Sequence, residues 1–246
     1  MKRYGLIGYP LGHSFSQRYF TEKFEREGIA ECVYENFAIE SVDRLDEVLE
    51  RHPDLRGFNV TIPYKERIVP RLRSMAEEAE KIGAVNCVRV TPEGLFGYNT
   101  DAHGFRTSLL KLLGGARPRR ALVLGTGGAS KAVKYVLAEL GIPFGVVSRT
   151  AVAGDYTYEN LSLETVRTHR LIVNATPLGT FPNTDACPEI PYEAIGKEHF
   201  LFDLVYNPPL TEFLRRGQMQ GASVVNGYDM LVGQAEKAWS IWNGDE

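Results

Sequence analysis

Short apolar runs that suit strands recur along this chain between longer stretches whose apolar residues are spaced three or four apart. Tyr4–Ile7 reads as a first strand. Gln17–Glu27 reads as a helix with Phe20 and Phe24 on one face and Gly28 as its stop. Cys32–Ala38 is rich in β-forming residues, and Val42–Arg51 puts Val42, Leu45, Val48 and Leu49 on one helical face. Gly57–Ile62 predicts a strand ended by Pro63. Arg67–Ile82 predicts helix apart from an early break at Pro70. Ala84–Val90 and Leu95–Tyr98 predict two strands turned at Pro92 and Gly94.

A helix is predicted from near Asp101 to about Leu113, followed by the turn-rich Gly114–Pro118. The pattern restarts with Arg120–Leu124, a continuous apolar strand of the buried parallel type, which runs into a glycine-rich turn and a helix over Ser130–Leu140. A strand at Phe144–Ser148, a helix near Leu163–Thr168 and strands at Leu171–Asn174, Phe200–Val205 and Ser223–Val225 follow. After Gly227 a last helix covers about Met230–Trp242. Strand–helix alternation of this kind predicts an α/β fold with mostly parallel sheet flanked by helices, and the restart places a domain boundary near residue 101. No internal repeat or low-complexity segment interrupts the pattern.

Composition narrows the class. The 246 residues suffice for one large domain or two small ones, and 43% are hydrophobic. The net charge of −3 comes from 28 basic and 31 acidic residues with no block of one sign, which argues against nucleic acid or an anionic membrane as partner. The opening MKRYGLIGYP lacks the apolar core of a secretory signal, and no apolar run approaches the ~20 residues that span a bilayer. A cytoplasmic enzyme is the expectation. Cys32, Cys87 and Cys187 form no paired motif, and His13, His52, His103, His169 and His199 lack metal-ligand spacing, so no metal site is expected.

The candidate chemistry begins at Gly125-Thr126-Gly127-Gly128-Ala129-Ser130, between a buried strand and a helix. Glycines let the backbone turn tightly and approach a pyrophosphate, and the helix start offers free N–H groups; a tight turn with no ligand is the plain alternative. At the end of the next strand, NAD sites carry an acid for the ribose 2′-hydroxyl. Here the strand ends in Ser148-Arg149-Thr150, and a guanidinium suits a 2′-phosphate instead.

Three polar clusters interrupt the first half. In His13-Ser14-Phe15-Ser16 two hydroxyls face one way, which fits a carboxylate, and a serine there equally fits a helix cap. In Asn59–Lys65, Lys65 falls at a predicted helix start, where the helix dipole opposes a cation; a functional lysine and a surface lysine both fit. The third cluster holds Asn86 and Asn99-Thr100-Asp101. Asp101 either caps the next helix or partners a lysine in proton transfer.

Taken together, GYPLGHSFS (8–16), NVTIPYK (59–65), GAVN (83–86), NTDAHGF (99–105), GTGGAS (125–130), SRT (148–150), NATPLG (174–179), DLVYNP (203–208) and GYDMLVGQA (227–235) resemble the shikimate dehydrogenase family, in its order and over nearly the whole chain. The resemblance implies an α/β two-domain fold. Residues 1–100 with the C-terminal helix 228–246 would form the substrate-binding domain, and residues 101–227 a Rossmann-type NADP domain. It implies reduction of 3-dehydroshikimate to shikimate with NADPH, on the route to chorismate and the aromatic amino acids, by a monomer or homodimer. Lys65 and Asp101 would be the catalytic pair. Ser14, Ser16 and Tyr206 would hold the substrate carboxylate, and Thr61, Asn86 and Gln234 its ring hydroxyls. Gly125–Ser130, Ser148, Arg149, Thr150, Asn174, Ala175 and Thr176 would hold NADP, with Leu204 and Gly227 beside the nicotinamide.

The sequence departs from the family at three places. Gln17 and Phe20-Thr21 follow HSFS where the family carries Pro and a His-Asn pair. Ser148 replaces an Asn, and Ala151–Asp155 contain no second base. The stretch from Thr150 to Asn174 is also short, which leaves out a helix after that strand. Two rival readings are a quinate/shikimate dehydrogenase using NAD and a non-catalytic relative that senses a shikimate-like ligand. Arg149 and the paired serines oppose the first, and retention of both Lys65 and Asp101 opposes the second.

Overall fold

The computed structural model of the protein describes residues 1–11, 14–150 and 153–244. The chain divides into two compact units, Met1–Thr100 with Ala235–Glu246, and Asp101–Gln234.

In the first unit the chain forms β1 (Lys2–Gly8), α1 (Phe15–Arg26), β2 (Cys32–Ala38), α2 (Leu45–Arg51), β3 (Leu55–Val60), β4 (Ser74–Met75), α3 (Glu77–Ile82), β5 (Cys87–Thr91) and β6 (Gly94–Tyr98). The sheet order is β2-β1-β3-β5-β6-β4. β1 is parallel to β2 and β3, β5 is antiparallel to β3 and β6, and β4 is parallel to β6, so β5 alone runs the other way. Strand alternation sends Tyr4 and Leu6 of β1 to one face, with Phe20, Phe24 and Trp242, and Ile7 to the other, with Leu45, Val48 and Phe58. Gly57 is required where it stands: a Cβ there would lie 2.2 Å from the Trp242 indole, whose Nε1 donates to the Val88 carbonyl at 3.0 Å.

Three expectations change here. The first helix starts at Phe15, not Gln17, because Ser14 is its cap: its hydroxyl accepts from the Gln17 N–H at 3.2 Å. Val42–Arg44 is a 3₁₀ turn capped by Ser41, leaving Leu45–Arg51 as the α-helix. The long helix expected over Arg67–Ile82 shrinks to Glu77–Ile82. Pro70 lies in a 3₁₀ turn, and the Arg73 and Ala76 N–H groups bond to Leu95 and Gly97 of β6 at 2.8 and 2.9 Å, so the segment joins the sheet as β4. Helical spacing of apolar residues cannot reveal a sheet edge that recruits the backbone.

The second unit starts in α4 (Thr100–Leu113) and continues through β7 (Ala121–Leu124), α5 (Gly128–Glu139), β8 (Phe144–Ser148), β9 (Tyr156–Thr157), α6 (Leu163–Thr168), β10 (Leu171–Asn174), β11 (Phe200–Asp203), α7 (Glu212–Met219), β12 (Ser223–Val225) and α8 (Tyr228–Asn243). All strands are parallel, in the order β12-β11-β10-β7-β8-β9. β7, β8, β10 and β11 read as continuous apolar runs because helices cover both faces. Between Ser148 and Tyr156 no helix stands among the described residues. Instead Asp155 accepts from the Val146 N–H at 2.8 Å and leads the chain along β8 as β9. The pattern reading missed β9 and also α7, whose cap Thr211 accepts from Leu214 at 3.4 Å and which buries Phe213 and Leu214.

The units divide inside α8, between Gln234 and Ala235, where the sequence put the break before that helix. Asp229 pairs with Lys111 at 2.6 Å in the second unit, while Ala235, Ala238, Ile241 and Trp242 belong to the first unit's core. Among the described residues no helix is long and apolar enough to cross a membrane.

Candidate active site

Ligands of α/β sheets collect at the carboxyl ends of parallel strands, where loops diverge and backbone groups are free. In the first unit that edge carries Ser14 after β1, Thr61 and Lys65 after β3, and Thr100 after β6. Asn86 joins them at the start of the reversed strand β5. The Ser16 hydroxyl bonds to that of Tyr34, and the Tyr34 hydroxyl donates to Asn59 Oδ1 at 2.9 Å. Asn59 Nδ2 donates to the Asn86 carbonyl at 3.2 Å. Asn86 in turn accepts from the Thr100 N–H at 2.6 Å and donates to the Thr100 hydroxyl at 3.0 Å. Tyr34, Asn59, Asn86 and Thr100 are buried, so this chain of bonds fixes the polar edge rigidly, and burial pushes the Tyr34 phenol well up.

Lys65 does not open a helix, contrary to expectation. It lies in a turn ahead of the 3₁₀ segment Val69–Arg71, so no helix dipole acts on it there. Its position is set by the main chain: its carbonyl accepts from Val85 at 2.8 Å, and its neighbour Tyr64 is buried with its hydroxyl on the Ile39 carbonyl at 2.6 Å. In the second unit, Asp101 occupies the first turn of α4 rather than its cap, and is buried. A carboxylate in that position is favoured by the helix dipole.

The second unit's sheet reverses its order between β7 and β10, the switch point at which α/β folds hold nucleotides. A cavity of about 420 Å³ stands there, lined by Gly125, Thr126, Gly127, Ser148, Arg149, Tyr158 and Ala175–Leu178. Gly125 takes φ +104°, and a Cβ on it would meet Thr176 Cγ2 at 2.9 Å. Gly127, the cap of α5, makes no side-chain cap bond, and the space where its Cβ and that of Gly128 would stand is open within 4 Å. A helix start with open space over its N–H groups fits a pyrophosphate, so the residues present suit a dinucleotide. Ala129 and Ser130 continue into α5, and the buried Ser130 hydroxyl donates to the Gly127 carbonyl at 2.7 Å, closing the turn. Ser148 is buried and its hydroxyl bonds with the backbone of Thr150, which leaves Arg149 exposed at the rim.

Behind the cavity, Asp203 is fully buried. Its carboxylate accepts from Asn174 Nδ2 at 2.9 Å, the Val205 N–H at 3.0 Å and the Thr211 hydroxyl at 2.5 Å. Burial pushes it up to about 6 against the pull of these three donors. Asn174 Oδ1 accepts from the Thr176 N–H at 3.1 Å and its hydroxyl at 2.6 Å, so Asp203 and Asn174 together shape the Ala175–Thr176 turn. Leu204 and Gly227 follow β11 and β12, with the Leu204 N–H on the Asn174 carbonyl at 3.0 Å and the Gly227 N–H on that of Val205 at 3.1 Å. Tyr206 is half-buried, and Gln234 is buried in α8 with its Nε2 on the Leu231 carbonyl at 2.9 Å.

Within the first unit the structure gathers Ser14, Ser16, Thr61, Lys65 and Asn86 at one edge. Within the second it gathers Gly125–Gly127, Ser148, Arg149 and Ala175–Thr176 around one cavity. Sequence reasoning passed over Asp203, Tyr34 and Tyr158. A polar residue closing the apolar run FLFD was a usable sign for Asp203, whereas Tyr34 and Tyr158 look like ordinary strand and loop tyrosines.

The comparisons with known proteins agree with this arrangement. The family model described as the shikimate dehydrogenase substrate binding domain matches residues 6–88. A shikimate dehydrogenase (NADP(+)) from Caldanaerobacter subterraneus subsp. tengcongensis is 36% identical, over 99% of this chain and 92% of the relative. Among solved structures, shikimate 5-dehydrogenase from Thermus thermophilus, in complex with NADP(H) and shikimate, superposes with a TM-score of 0.84 at 36% identity, covering 99% of this chain and 94% of that one. Quinate dehydrogenase from Corynebacterium glutamicum, in complex with NAD, gives a TM-score of 0.88 at 25% identity, with coverages of 99% and 94%. With relatives alike over almost the full length of both chains, and with the polar edge and the nucleotide cavity both in place, this chain belongs to the shikimate dehydrogenase family.

Proposed function

We propose that this chain catalyses the reversible reduction of 3-dehydroshikimate to shikimate with NADPH, a step towards chorismate and the aromatic amino acids. The observation that carries the reading is the cavity running from the glycine turn to Arg149 on a chain whose full-length relatives are NADP-dependent shikimate dehydrogenases. The Gly125–Ser130 turn and the start of α5 hold the pyrophosphate, Ser148–Thr150 the adenosine ribose and its phosphate, and Asn174–Thr176, Leu204 and Gly227 the remainder of NADP. When bound, NADPH supplies the hydride. Residues 1–100 supply most of the substrate's partners: Ser14 and Ser16 take the carboxylate, with help from Tyr206 of the second unit, and Thr61 and Asn86, with Gln234 of α8, take the ring hydroxyls.

Hydride arrival at the carbonyl carbon builds negative charge on its oxygen, which requires a proton. Lys65 delivers that proton and withdraws it in the reverse direction, with Asp101 as its partner. The reading includes a cytoplasmic monomer or homodimer, in keeping with three cysteines that form no disulfide. An initial-rate assay with shikimate and quinate, each with NADP and with NAD, tests it. Turnover fastest with shikimate and NADP is the expected result. Preference for quinate with NAD, or no turnover with any pair, would overturn it.

A further inference from the structure

Two cavities of the second unit share three lining residues, Arg149, Tyr158 and Leu178. The first, described above, contains the glycine turn. The second, of about 490 Å³, extends past Arg149 and is lined on its far side by Asp185, Glu189 and Arg216. Tyr158 stands at their junction. Its ring packs against the unit's apolar core, and its hydroxyl is buried with no hydrogen-bonding partner among the described residues. Native proteins rarely leave such a group orphaned, because losing water without a replacement bond costs more than the bond would return. An orphan at a cavity junction therefore points to a partner that arrives with a ligand.

We infer that the Tyr158 hydroxyl is a second donor to the phosphate on the adenosine ribose of NADP, standing where the sequence lacks a second base after Arg149. This rests on the NADP reading above and names a determinant of its specificity. Charge in the second cavity limits the choice of donors. Asp185 and Glu189 repel an anion from the far wall. Arg216 is engaged by Glu212 at 2.7 Å and lies over the Tyr192 ring at 5.2 Å. Arg149 and Tyr158 remain at the junction as the groups that welcome a phosphate. Burial pushes the Tyr158 phenol up, with Arg149 opposing, so at neutral pH the group keeps its proton and donates. A neutral donor to a dianion adds discrimination without burying a further charge.

Calorimetric binding of adenosine 2′,5′-bisphosphate and adenosine 5′-monophosphate to the parent protein, Tyr158→Phe and Arg149→Ala tests this without turnover. The parent should prefer the bisphosphate. Tyr158→Phe should lose roughly tenfold or more of its bisphosphate affinity while keeping that for the monophosphate. Its melting temperature without ligand should stay level or rise, since the ring remains and an unsatisfied hydroxyl is gone. If Arg149→Ala abolishes the preference and Tyr158→Phe leaves it intact, the NADP reading stands and this inference fails. Equal loss for both ligands in Tyr158→Phe, or a lowered melting temperature, would show a packing or water-bound hydroxyl and also overturn it. A parent protein with no preference would overturn both.

Discussion

The two units solve the problem of holding a small ligand with opposite materials. In the first, the candidate groups are side chains locked into a buried line of bonds from Ser16 through Tyr34, Asn59 and Asn86 to Thr100. In the second, they are chiefly backbone: an open helix start at Gly127–Gly128, a turn propped from behind by Asn174 and Asp203, and one exposed guanidinium at the rim. A substrate distinguished by a ring of hydroxyls needs fixed donors and acceptors, because mispaired buried polar groups are costly. A cofactor shared among many enzymes needs only N–H groups, space and one charge. Function and stability should therefore be coupled tightly in the first unit and loosely in the second.

The largest expected effect probes chemistry rather than binding. Lys65→Ala should lower kcat at least a hundredfold, the lower bound for a positioned acid–base group, with much less change in KM. Asp101→Ala should also lower kcat, and the double variant should lose less than the product of the two, since the residues act as one device. A near-normal kcat in Lys65→Ala would return that residue to a surface or binding role.

Next, Asn86→Ala and Arg149→Ala should part company. Asn86→Ala removes the bonds it makes to the Thr100 N–H and hydroxyl, at about 1–3 kcal/mol for each, so the melting temperature should fall by at least about 4 °C. Arg149→Ala removes an exposed side chain. Its melting temperature should barely move, while KM for NADP rises roughly ten- to a hundredfold and KM for NAD stays level. Similar thermal losses in both variants would dissolve the contrast between the units, and equal loss with both cofactors would remove Arg149 from specificity.

The same contrast governs what the sequence could disclose. In the second unit β7, β8, β10 and β11 were legible because a strand covered on both faces must be apolar throughout, and the glycine turn was legible because Gly125 takes a φ of +104°. The motif order also pointed to the family. What failed were features decided by distant partners. Residues 67–76 look helical in isolation and are captured by the edge of β6. Lys65 lies in the turn ahead of that segment, held by the bond from the Val85 N–H to its carbonyl, so the helix start assigned to it does not exist. The polar line of the first unit could not be foreseen because Ser16 and Tyr34 join only when α1 packs on β2, and no local spacing encodes that contact.

The smallest expected effect separates two neighbouring serines. In the sequence both Ser14 and Ser16 suit a carboxylate, and Ser16 suits the cap as well. The structure assigns the cap to Ser14, whose hydroxyl accepts from Gln17, and ties Ser16 to Tyr34. Ser14→Ala should therefore cost about 1 kcal/mol of stability through the exposed first turn of α1, a shift of roughly 2–4 °C in melting temperature. If Ser14 also holds the substrate carboxylate, KM for shikimate rises in the same variant. If it only caps, KM stays put among folded molecules. Ser16→Ala should leave the cap alone and raise KM through the loss of a hydroxyl that the Tyr34 contact holds in place. Melting curves and shikimate KM for the two single variants decide this. A KM unchanged in both would mean that the carboxylate is held elsewhere, and that the first unit's polar edge begins at Thr61 rather than at the serines.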